Sequence, residues 1–459
     1  MNAINGKELL LNSLRRKKVE RAPWVPYAGI QAGSLKNYNA EELLKDGDKL
    51  YESLLAAHEA YRPDGMPVIF DLQVEAEIFG CDLVWAEKAP PSVSSHVLDS
   101  AKEINLTQPK ADDGRIPLIV DVMKRLKAKI GGDVALYGLV TGPLTLAAHL
   151  RGMNIFIDMF EDPDYVQKLV DFCAETAKIM SEYYIGAGMD VIAVVDPMVS
   201  QISPDVFSQF LSAPFSDIFS FLKSKNVFSS FFVCGDATKN IEVMSGTKPD
   251  CISVDENIDI VEAKKTTDKF DIVISGNIPL TTVMLLGNQM DNQKYALDII
   301  DSVGPERFIL APGCDMPYDI PPDNIIGITQ VVRHPESARE FLKNYTQTAG
   351  SIDIELPNYD ELDRPLLEVF TIDSAMCAAC GYMKEAAAEM KEIFGDKIDF
   401  VEYKSILAEN AARVKKLNIT NLPSILLNGK LKYSSIIPDR KSFRIEIESE
   451  LAKWADEAN

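Results

Sequence analysis

The stretch VFSSFFVCGDATKN, residues 227–240, shows the pattern that decides the fold of this chain. An apolar run rich in aromatic residues ends abruptly at a cysteine, a glycine and an aspartate. Such a run is typical of a buried strand, and the small and polar residues after it are typical of a loop. The same pattern recurs seven more times, in residues 23–30, 65–70, 134–140, 190–195, 251–254, 271–275 and 307–311.

Segments with helical spacing separate most of these strands. In residues 163–188, PDYVQKLVDFCAETAKIMSEYYIGAG, the apolar Val166, Leu169 and Cys173 fall on one helical face, and the segment ends in glycine. Eight buried strands that alternate with helices are typical of a (β/α)8 TIM barrel. We therefore predict an α/β fold in which residues 1–345 form such a barrel.

Polar or small residues follow most of the predicted strands. In a (β/α)8 barrel the carboxyl ends of the strands meet the loops at the mouth that holds the active site. We therefore predict a site at this mouth. Aspartate and asparagine also favour turns and helix N-caps, so that alternative stays open for each residue. The strand-end residues are Asp71, Thr141, Gly142, Asp196, Cys234, Gly235, Asp236, Asp255, Glu256, Asn277, Cys314 and Asp315.

The alternation of strands and helices stops after Tyr345. Residues 346–365 are polar and acidic with two prolines, and we predict that they form a linker. Residues 366–459 then follow the order βαβαββα, with a Cys-x-x-Cys between the first strand and the first helix. This order resembles the thioredoxin/glutaredoxin superfamily, so we predict a small thioredoxin-like domain there.

The Cys-x-x-Cys motif consists of Cys377 and Cys380. Because the N-terminus of a helix stabilises a thiolate, Cys377 is the predicted attacking thiol and Cys380 the resolving one. The resemblance also implies that Pro423 is the cis-proline that packs against the redox pair. Two alternatives stay open. The motif is a pair of ordinary cysteines at a helix start, or it is part of a metal site, although no second Cys-x-x-Cys or histidine-rich segment is present to complete one.

The barrel resembles the uroporphyrinogen decarboxylase superfamily in segments such as RAPWVPYAGIQAG (21–33), YGLVTGPLTLAAHLRG (137–152) and GPERFILAPGCDMPYDIPPDNI (304–325). The decarboxylases of this superfamily hold the carboxylates of the porphyrinogen with arginines in the first of these segments. Ile30 and Ser34 occupy the two arginine positions here. The loss of two charge-assisted pairs argues against porphyrinogen decarboxylation.

The segments FDLQVEAEIFG (70–80) and APGCDMPYDIPPDNI (311–325) look closer to the cobamide-dependent methyltransferases, such as the methylcobamide:coenzyme M enzymes. Members of that branch bind zinc through a His-x-Cys at one strand end and a cysteine at the last strand, and the metal deprotonates the acceptor thiol. Cys234 and Cys314 match the two cysteine positions, but the histidine position is Phe232. The candidates for the missing zinc ligand are Asp236, Asp255, Asp196 and Glu75. The alternative is that both cysteines are buried small apolar residues.

The resemblance implies a corrinoid-dependent methyltransferase, which moves a methyl group between a corrinoid and a small thiol or other methyl compound. The corrinoid, a cobalamin, would be free or carried by a partner protein, and dimers in the superfamily imply a homodimer. Asp196 and Asp255 are the predicted catalytic residues that position or polarise the substrate. The predicted substrate-binding residues are Asp71, Glu75, Asp236 and Asn277.

Two other functions stay open. The chain is a thiol–disulfide oxidoreductase that uses the barrel as a binding module, or its barrel has lost the metal chemistry of its relatives. Phe232 is the main indication for the second of these.

The composition limits the partners and the compartment. The formal charge of −22 argues against a nucleic acid or an anionic membrane as partner, because both attract basic surfaces. No apolar run is long enough for a transmembrane helix. The seven cysteines are scattered and odd in number, which indicates a reducing compartment. We therefore predict a cytoplasmic protein.

Overall fold

The structure is a computed structural model that describes residues 5–100, 103–346, 354–359, 361–374 and 378–457. The chain divides into two compact units, Met1–Ala349 and Gly350–Asn459. The boundary between them falls inside the predicted linker, residues 346–365. No helix in the described ranges combines the length and the hydropathy that crossing a bilayer requires.

The first unit is built on a curled sheet of seven parallel strands in the order β1-β4-β5-β6-β7-β8-β9. A short antiparallel pair, β2 and β3, stands apart from it. The strands of the first unit are β1 (Gly65–Pro67), β2 (Leu83–Val84), β3 (Ser92–Val93), β4 (Ala135–Thr141), β5 (Val191–Val195), β6 (Phe228–Phe232), β7 (Cys251–Ser253), β8 (Val273–Ile278) and β9 (Phe308–Pro312).

Helices lie between these strands along the chain. They are α1 (Gly6–Leu14), α2 (Gln31–Ser34), α3 (Ala40–Lys45), α4 (Gly47–Tyr61), α5 (Val74–Ile78), α6 (Ile116–Ile130), α7 (Pro143–Arg151), α8 (Asn154–Glu161), α9 (Pro163–Gly186), α10 (Pro204–Phe210), α11 (Ser212–Ser224), α12 (Ile241–Gly246), α13 (Ile260–Lys269), α14 (Gln289–Val303), α15 (Pro322–Arg333) and α16 (Pro335–Leu342).

An extended segment around Trp24 closes the sheet between its two edges. Trp24 forms a parallel bridge with Leu310 of β9. On its other side the carbonyl of Trp24 accepts a hydrogen bond from the backbone N–H of Asp64, 2.9 Å away, next to β1. The segment therefore takes the place of an eighth strand, and the predicted TIM-like α/β barrel is confirmed.

Strand β6 shows how the barrel separates its two faces. Phe231 points outward and stacks on Phe215 of α11, with ring centroids 4.1 Å apart. Phe232 points into the barrel, where its ring centroid lies 4.9 Å from that of Tyr27 and 5.7 Å from that of Phe70. Because side chains alternate along an extended chain, Cys234 returns to the inner face.

The second unit is a smaller α/β unit with a four-stranded sheet in the order β11-β10-β12-β13. Strands β10 and β11 are parallel, and β12 pairs antiparallel with both β10 and β13. The peptide bond between Leu422 and Pro423 is cis. Its elements are β10 (Leu366–Thr371), α17 (Ala378–Phe394), β11 (Asp399–Lys404), α18 (Ala408–Lys416), β12 (Ser424–Leu427), β13 (Lys430–Ser434) and α19 (Arg440–Glu457).

Candidate functional site

Two cysteines meet at the mouth of the barrel. Cys234 and Cys314 each lie two residues beyond the end of a strand, β6 and β9 respectively. Their side chains form a hydrogen bond with each other, and both are partly exposed. Since β7 and β8 separate the two strands in the sheet, this contact crosses the mouth of the barrel. The structure thus brings together the two residues that the sequence predicted as metal ligands.

The electrostatic surroundings of Cys314 oppose its ionisation. The hydrogen bond with Cys234 lowers the pKa of the Cys314 thiol. Burial and the neighbouring Asp255 and Asp315 outweigh this effect and raise the pKa above its usual value. Cys314 is therefore held mainly as a neutral thiol at neutral pH.

Tyr27, Phe70 and Phe232 form an aromatic floor, and they belong to the buried apolar cluster of the barrel against which both cysteines pack. Phe232 is fully buried in it. The hydroxyl of Tyr27 contacts the hydroxyls of Ser253 at 3.3 Å and Ser275 at 3.4 Å. The three rings therefore fill the interior of the barrel, and the one hydroxyl among them, that of Tyr27, contacts serine hydroxyls of the barrel strands.

The residues at the mouth do not fit a zinc ion. Protein zinc sites use at least three protein ligands, and a phenyl ring supplies none at position 232. Within the described ranges, no group of three or more histidine, cysteine, aspartate and glutamate side chains is arranged to hold a metal. Among the residues that the structure describes, the expected zinc site at Cys234 and Cys314 therefore has two thiols and no third ligand.

Three of the strand-end aspartates share one hydrogen-bonding pattern. Each carboxylate accepts a hydrogen bond from the backbone N–H two residues further along the chain, which is an Asx-turn. One oxygen of each carboxylate is thereby used to shape the loop after its strand. The bonds join Asp71 to Gln73 (2.9 Å), Asp236 to Thr238 (3.1 Å) and Asp255 to Asn257 (2.9 Å).

The second oxygen of Asp71 belongs to a buried ion pair. Arg115 donates to it from Nη1 at 2.6 Å and to Glu77 from Nε at 2.7 Å. Asp71 is buried, so the guanidinium group compensates its charge without solvent. Asp71 therefore holds the start of α6 against the loop after β1.

Asp196 and Glu75 are buried and accept hydrogen bonds from the protein itself. Asp196 is fully buried and accepts hydrogen bonds from the N–H groups of Leu144 (2.9 Å) and Thr145 (3.0 Å) and from the Thr145 hydroxyl (2.6 Å). Burial nevertheless raises the pKa of Asp196 to about 7. Glu75 accepts from the N–H and the hydroxyl of Thr141, and burial raises its pKa as well. Asp196 caps α7, and Glu75 fixes the end of β4.

Asn277 acts on the loop after β7. Its Nδ2 donates to the carbonyl of Asp255 at 2.8 Å and to that of Ile258 at 2.7 Å. Both amide hydrogens are therefore used, and the side chain is buried. Asn277 therefore positions Asp255, which is itself buried. Burial raises the pKa of Asp255, and the hydrogen bonds from Gly235 and Asn257 offset only part of this effect.

Asp315 and Glu256 are two further carboxyl groups at the mouth. The sequence places both at strand ends, but neither is among the predicted site residues. Asp315 accepts a hydrogen bond from the N–H of Gly29 at 3.0 Å, while its Oδ2 is buried without a hydrogen-bond partner among the described residues. Burial raises the pKa of Asp315 well above its usual value. For Glu256, burial and the neighbouring Asp255 raise the pKa to about 8. The sequence feature that could have identified them is their position directly after Cys314 and Asp255.

The predicted redox pair is described at one of its two positions. Cys380 lies in the first turn of α17 and is buried. Cys377 lies outside the described residues. Beyond the end of β10, the N–H of Ser374 donates to Glu402 at 3.3 Å, and Thr371 donates to the same oxygen at 2.7 Å.

This chain aligns with several methyltransferases and decarboxylases over nearly the full length of those relatives. A methylcobamide:CoM methyltransferase of Methanosarcina acetivorans is 28% identical over 336 residues, which are 71% of this chain and 96% of the relative. One from Methanosarcina barkeri is 30% identical over 344 residues, with the same two coverages. A uroporphyrinogen decarboxylase of Prochlorococcus marinus is 24% identical over 336 residues, 70% of this chain and 94% of the relative.

A solved structure and a family model agree with this fold. The structure of a methyltransferase from Methanosarcina mazei aligns with a TM-score of 0.65 at 24% identity, and it covers 74% of this chain and 99% of that chain. Residues 5–334 match the family model for uroporphyrinogen decarboxylase (URO-D). This match spans most of the chain and nearly all of the barrel unit, so the chain belongs to the uroporphyrinogen decarboxylase (URO-D) family.

Proposed function

We propose that the chain is a corrinoid-dependent methyltransferase. It moves a methyl group between a corrinoid, free or carried by a partner protein, and a small thiol or other methyl compound. The observation that carries the proposal is the meeting of Cys234 and Cys314 at the barrel mouth. The likeness to methylcobamide:CoM methyltransferases over 96% of their length supports the same kind of reaction.

Methyl transfer from a methylcorrinoid to a thiol releases one proton. The methyl group leaves cobalt as the sulfur–carbon bond forms, the cobalt keeps the electron pair, and the thiol proton needs an acceptor. We assign this role to Asp255, whose charge acts on Cys314 and whose pKa burial raises. A carboxylate with a raised pKa is better matched to a thiol than an ordinary one is.

In this proposal most of the other predicted site residues hold the strand ends and loops of the mouth in place. Asn277 fixes the backbone of Asp255 through its carbonyl. Asp196 and Glu75 hold the ends of α7 and β4, and Asp71 is paired with Arg115. Asp236 is the substrate-binding candidate that keeps partial exposure, in the loop directly after Cys234.

The second unit has a proposed role in thiol redox chemistry. Its order of elements and its sheet order support a thioredoxin-like domain in which Cys377 attacks and Cys380 resolves. Such a domain would keep the substrate thiol or the barrel cysteines reduced. Covalent linkage raises the effective concentration of the dithiol around the barrel.

A second candidate function is supported by Phe232. A phenyl ring at position 232, with no third metal ligand beside the two cysteines in the described part of the barrel, suits a chain that works as a thiol–disulfide oxidoreductase and uses the barrel for binding. Porphyrinogen decarboxylation has less support, because a buried Ile30 and a serine at position 34 replace the cations that would bind a polyanion.

The methyl-transfer proposal is tested with methylcobalamin and a panel of small thiols under anaerobic, reducing conditions. Full-length protein should convert methylcobalamin to cob(I)alamin in the absorption spectrum and yield the methylated thiol by mass spectrometry. We expect the rate to fall by about tenfold or more in Cys314→Ser and in Asp255→Asn, a loss of roughly 1.4 kcal/mol or more of transition-state stabilisation.

Cys81→Ala is the matched control, because Cys81 is a buried thiol that bonds the carbonyl of His149 away from the mouth. It should keep the wild-type rate. Absence of both the spectral change and the methylated product for every thiol in wild-type protein would overturn the proposal.

A further inference from the structure

Cys234 and Cys314, the pair at the mouth, differ from the other described cysteines in their exposure to solvent. Among the described cysteines, Cys234 and Cys314 are partly exposed. The remaining described cysteines, Cys81, Cys173, Cys251 and Cys380, are buried. A small reagent dissolved in water therefore reaches the two thiols at the mouth first.

Glycines next to both cysteines occupy positions where a side chain would not fit. Gly235, directly after Cys234, has a φ of +88°, which side chains rarely allow. At Gly313, directly before Cys314, a Cβ atom would lie 2.7 Å from the backbone nitrogen of Glu256. Larger residues at these positions would therefore move the loops that carry the two cysteines.

The backbone on both sides is fixed by strand-like hydrogen bonds. The N–H of Val233 donates to the carbonyl of Ser253 at 3.0 Å, and the N–H of Gly313 donates to that of Ile278, also at 3.0 Å. The side chain of Cys234 therefore meets that of Cys314 from an ordered backbone. A disulfide requires the two sulfurs to come within roughly 2 Å of each other, and the hydrogen bond between the two side chains already places the sulfurs side by side.

From this pair and from the missing third ligand we infer that the barrel mouth is a dithiol–disulfide site, at which Cys234 and Cys314 form a reversible intramolecular disulfide. The oxidant is a small-molecule disulfide, and the reductant is a dithiol. This inference goes beyond the methyl transfer proposed above and predicts that oxidation of the pair also stops that transfer, because the disulfide consumes the Cys314 thiol. It gives a chemical use to two thiols that sit above a phenyl ring where a metal ligand would be needed.

The exchange balances in two steps. One cysteine thiolate of the pair attacks the small disulfide RSSR, which forms a protein–S–SR bond and releases RS⁻. The second thiolate then attacks the protein sulfur of this mixed disulfide, which forms the Cys234–Cys314 bond and releases the second RS⁻. The two thiol protons pass to solvent, the pair loses two electrons, and RSSR gains them. A dithiol reverses both steps and becomes a disulfide itself.

The test uses full-length protein and oxidised glutathione as the small disulfide. After incubation, remaining thiols are alkylated, and the digest is analysed by mass spectrometry. We expect a peptide cross-linked between Cys234 and Cys314 that disappears on addition of dithiothreitol. Cys234→Ser should instead retain glutathione on Cys314, because no second thiol is present to displace it.

A background with both Cys377→Ala and Cys380→Ala removes the other dithiol, and the same cross-link should form there. The wild-type experiment needs no variant to fold, so it decides the question alone. Glutathione on both mouth cysteines without a cross-link, or no oxidation at the mouth, would overturn the inference. Since the readout is a mass and not a turnover, failure here is distinct from failure of the methyl transfer.

Discussion

At the residue scale, position 232 decides what the mouth of the barrel can hold. Its side chain points inward on the same face as Cys234, and it fills the space with a ring packed on Tyr27 and Phe70. A histidine there would offer a nitrogen close to both thiols. A phenylalanine instead contributes buried apolar area, of the order of 2 kcal/mol for a full side chain. The choice between histidine and phenylalanine at position 232 thus decides whether this part of the barrel is a metal site or an apolar floor.

Restoring the histidine should restore metal binding. We expect the wild-type mouth to bind no stoichiometric zinc, whereas Phe232→His should gain about one zinc per chain, because it completes a set of three ligands with Cys234 and Cys314. The measurement is metal content after dialysis against zinc and removal of the excess. The gain should disappear when Cys234→Ser is added.

Phe231→His is the matched control for this experiment. Position 231 lies on the same strand but faces α11, where Phe215 packs against it. This variant should lose stability to a similar extent and gain no zinc. A wild-type protein that retains zinc through Cys234 would show that a ligand outside the described residues completes the site.

At the element scale, the aspartates after the strands shape loops and cap a helix around the mouth of the barrel. Asp71, Asp236 and Asp255 shape loops through Asx-turns, and Asp196 caps the N-terminus of α7. These are the roles that aspartate has at turns and caps in general. A carboxylate at the carboxyl end of a barrel strand is therefore not by that position alone a substrate contact.

The cap of α7 should make stability depend on pH. Burial raises the pKa of Asp196 to about 7 in the folded chain, whereas an unfolded aspartate titrates near about 3.9. The folded state therefore holds the proton more tightly. The stability from this proton is present at low pH and is lost as pH rises from about 4 through about 7.

Asp196→Asn should remove this contribution. We expect the difference in free energy of unfolding between wild type and variant to be largest near about pH 4 and to shrink toward about pH 7. The measurement is denaturant unfolding of both proteins across this range. Thr145→Val keeps the carboxyl but removes a hydrogen bond that lowers its pKa, so it should retain the pH dependence and move it upward. A difference that is constant with pH would contradict the assignment.

The barrel strands could be predicted from the sequence, because a buried strand and its terminating turn are local patterns. Seven of the eight predicted runs overlap a strand of the sheet, and the run at residues 23–30 contributes only the bridge at Trp24. The contact between Cys234 and Cys314 could not be predicted in this way, because it depends on closure of the barrel across two intervening strands. The same is true of Asp196, whose bonding partners lie 51 and 52 residues away.

At the scale of the whole molecule, the chain joins two units that have separate cores. The barrel interior is filled by residues such as Tyr137, Val195 and Phe232. The second unit has its own core, with Val369 and Met383 fully buried in it. Because each core is formed by its own stretch of the chain, the thiol chemistry of each unit should be separable by mutation in the full chain.

Disulfide reduction should depend on the cysteines of the second unit. In an insulin-reduction assay with dithiothreitol as electron source, we expect Cys377→Ser to lower the rate by about tenfold or more, because a single-cysteine site cannot complete the exchange. Cys314→Ser is the reciprocal variant. It should keep insulin reduction and lose methyl transfer, whereas Cys377→Ser should keep methyl transfer when external dithiothreitol maintains the thiols. If insulin reduction instead depends on Cys314 and is unaffected by Cys377→Ser, the redox activity belongs to the barrel mouth, and the thioredoxin-like role of the second unit is wrong.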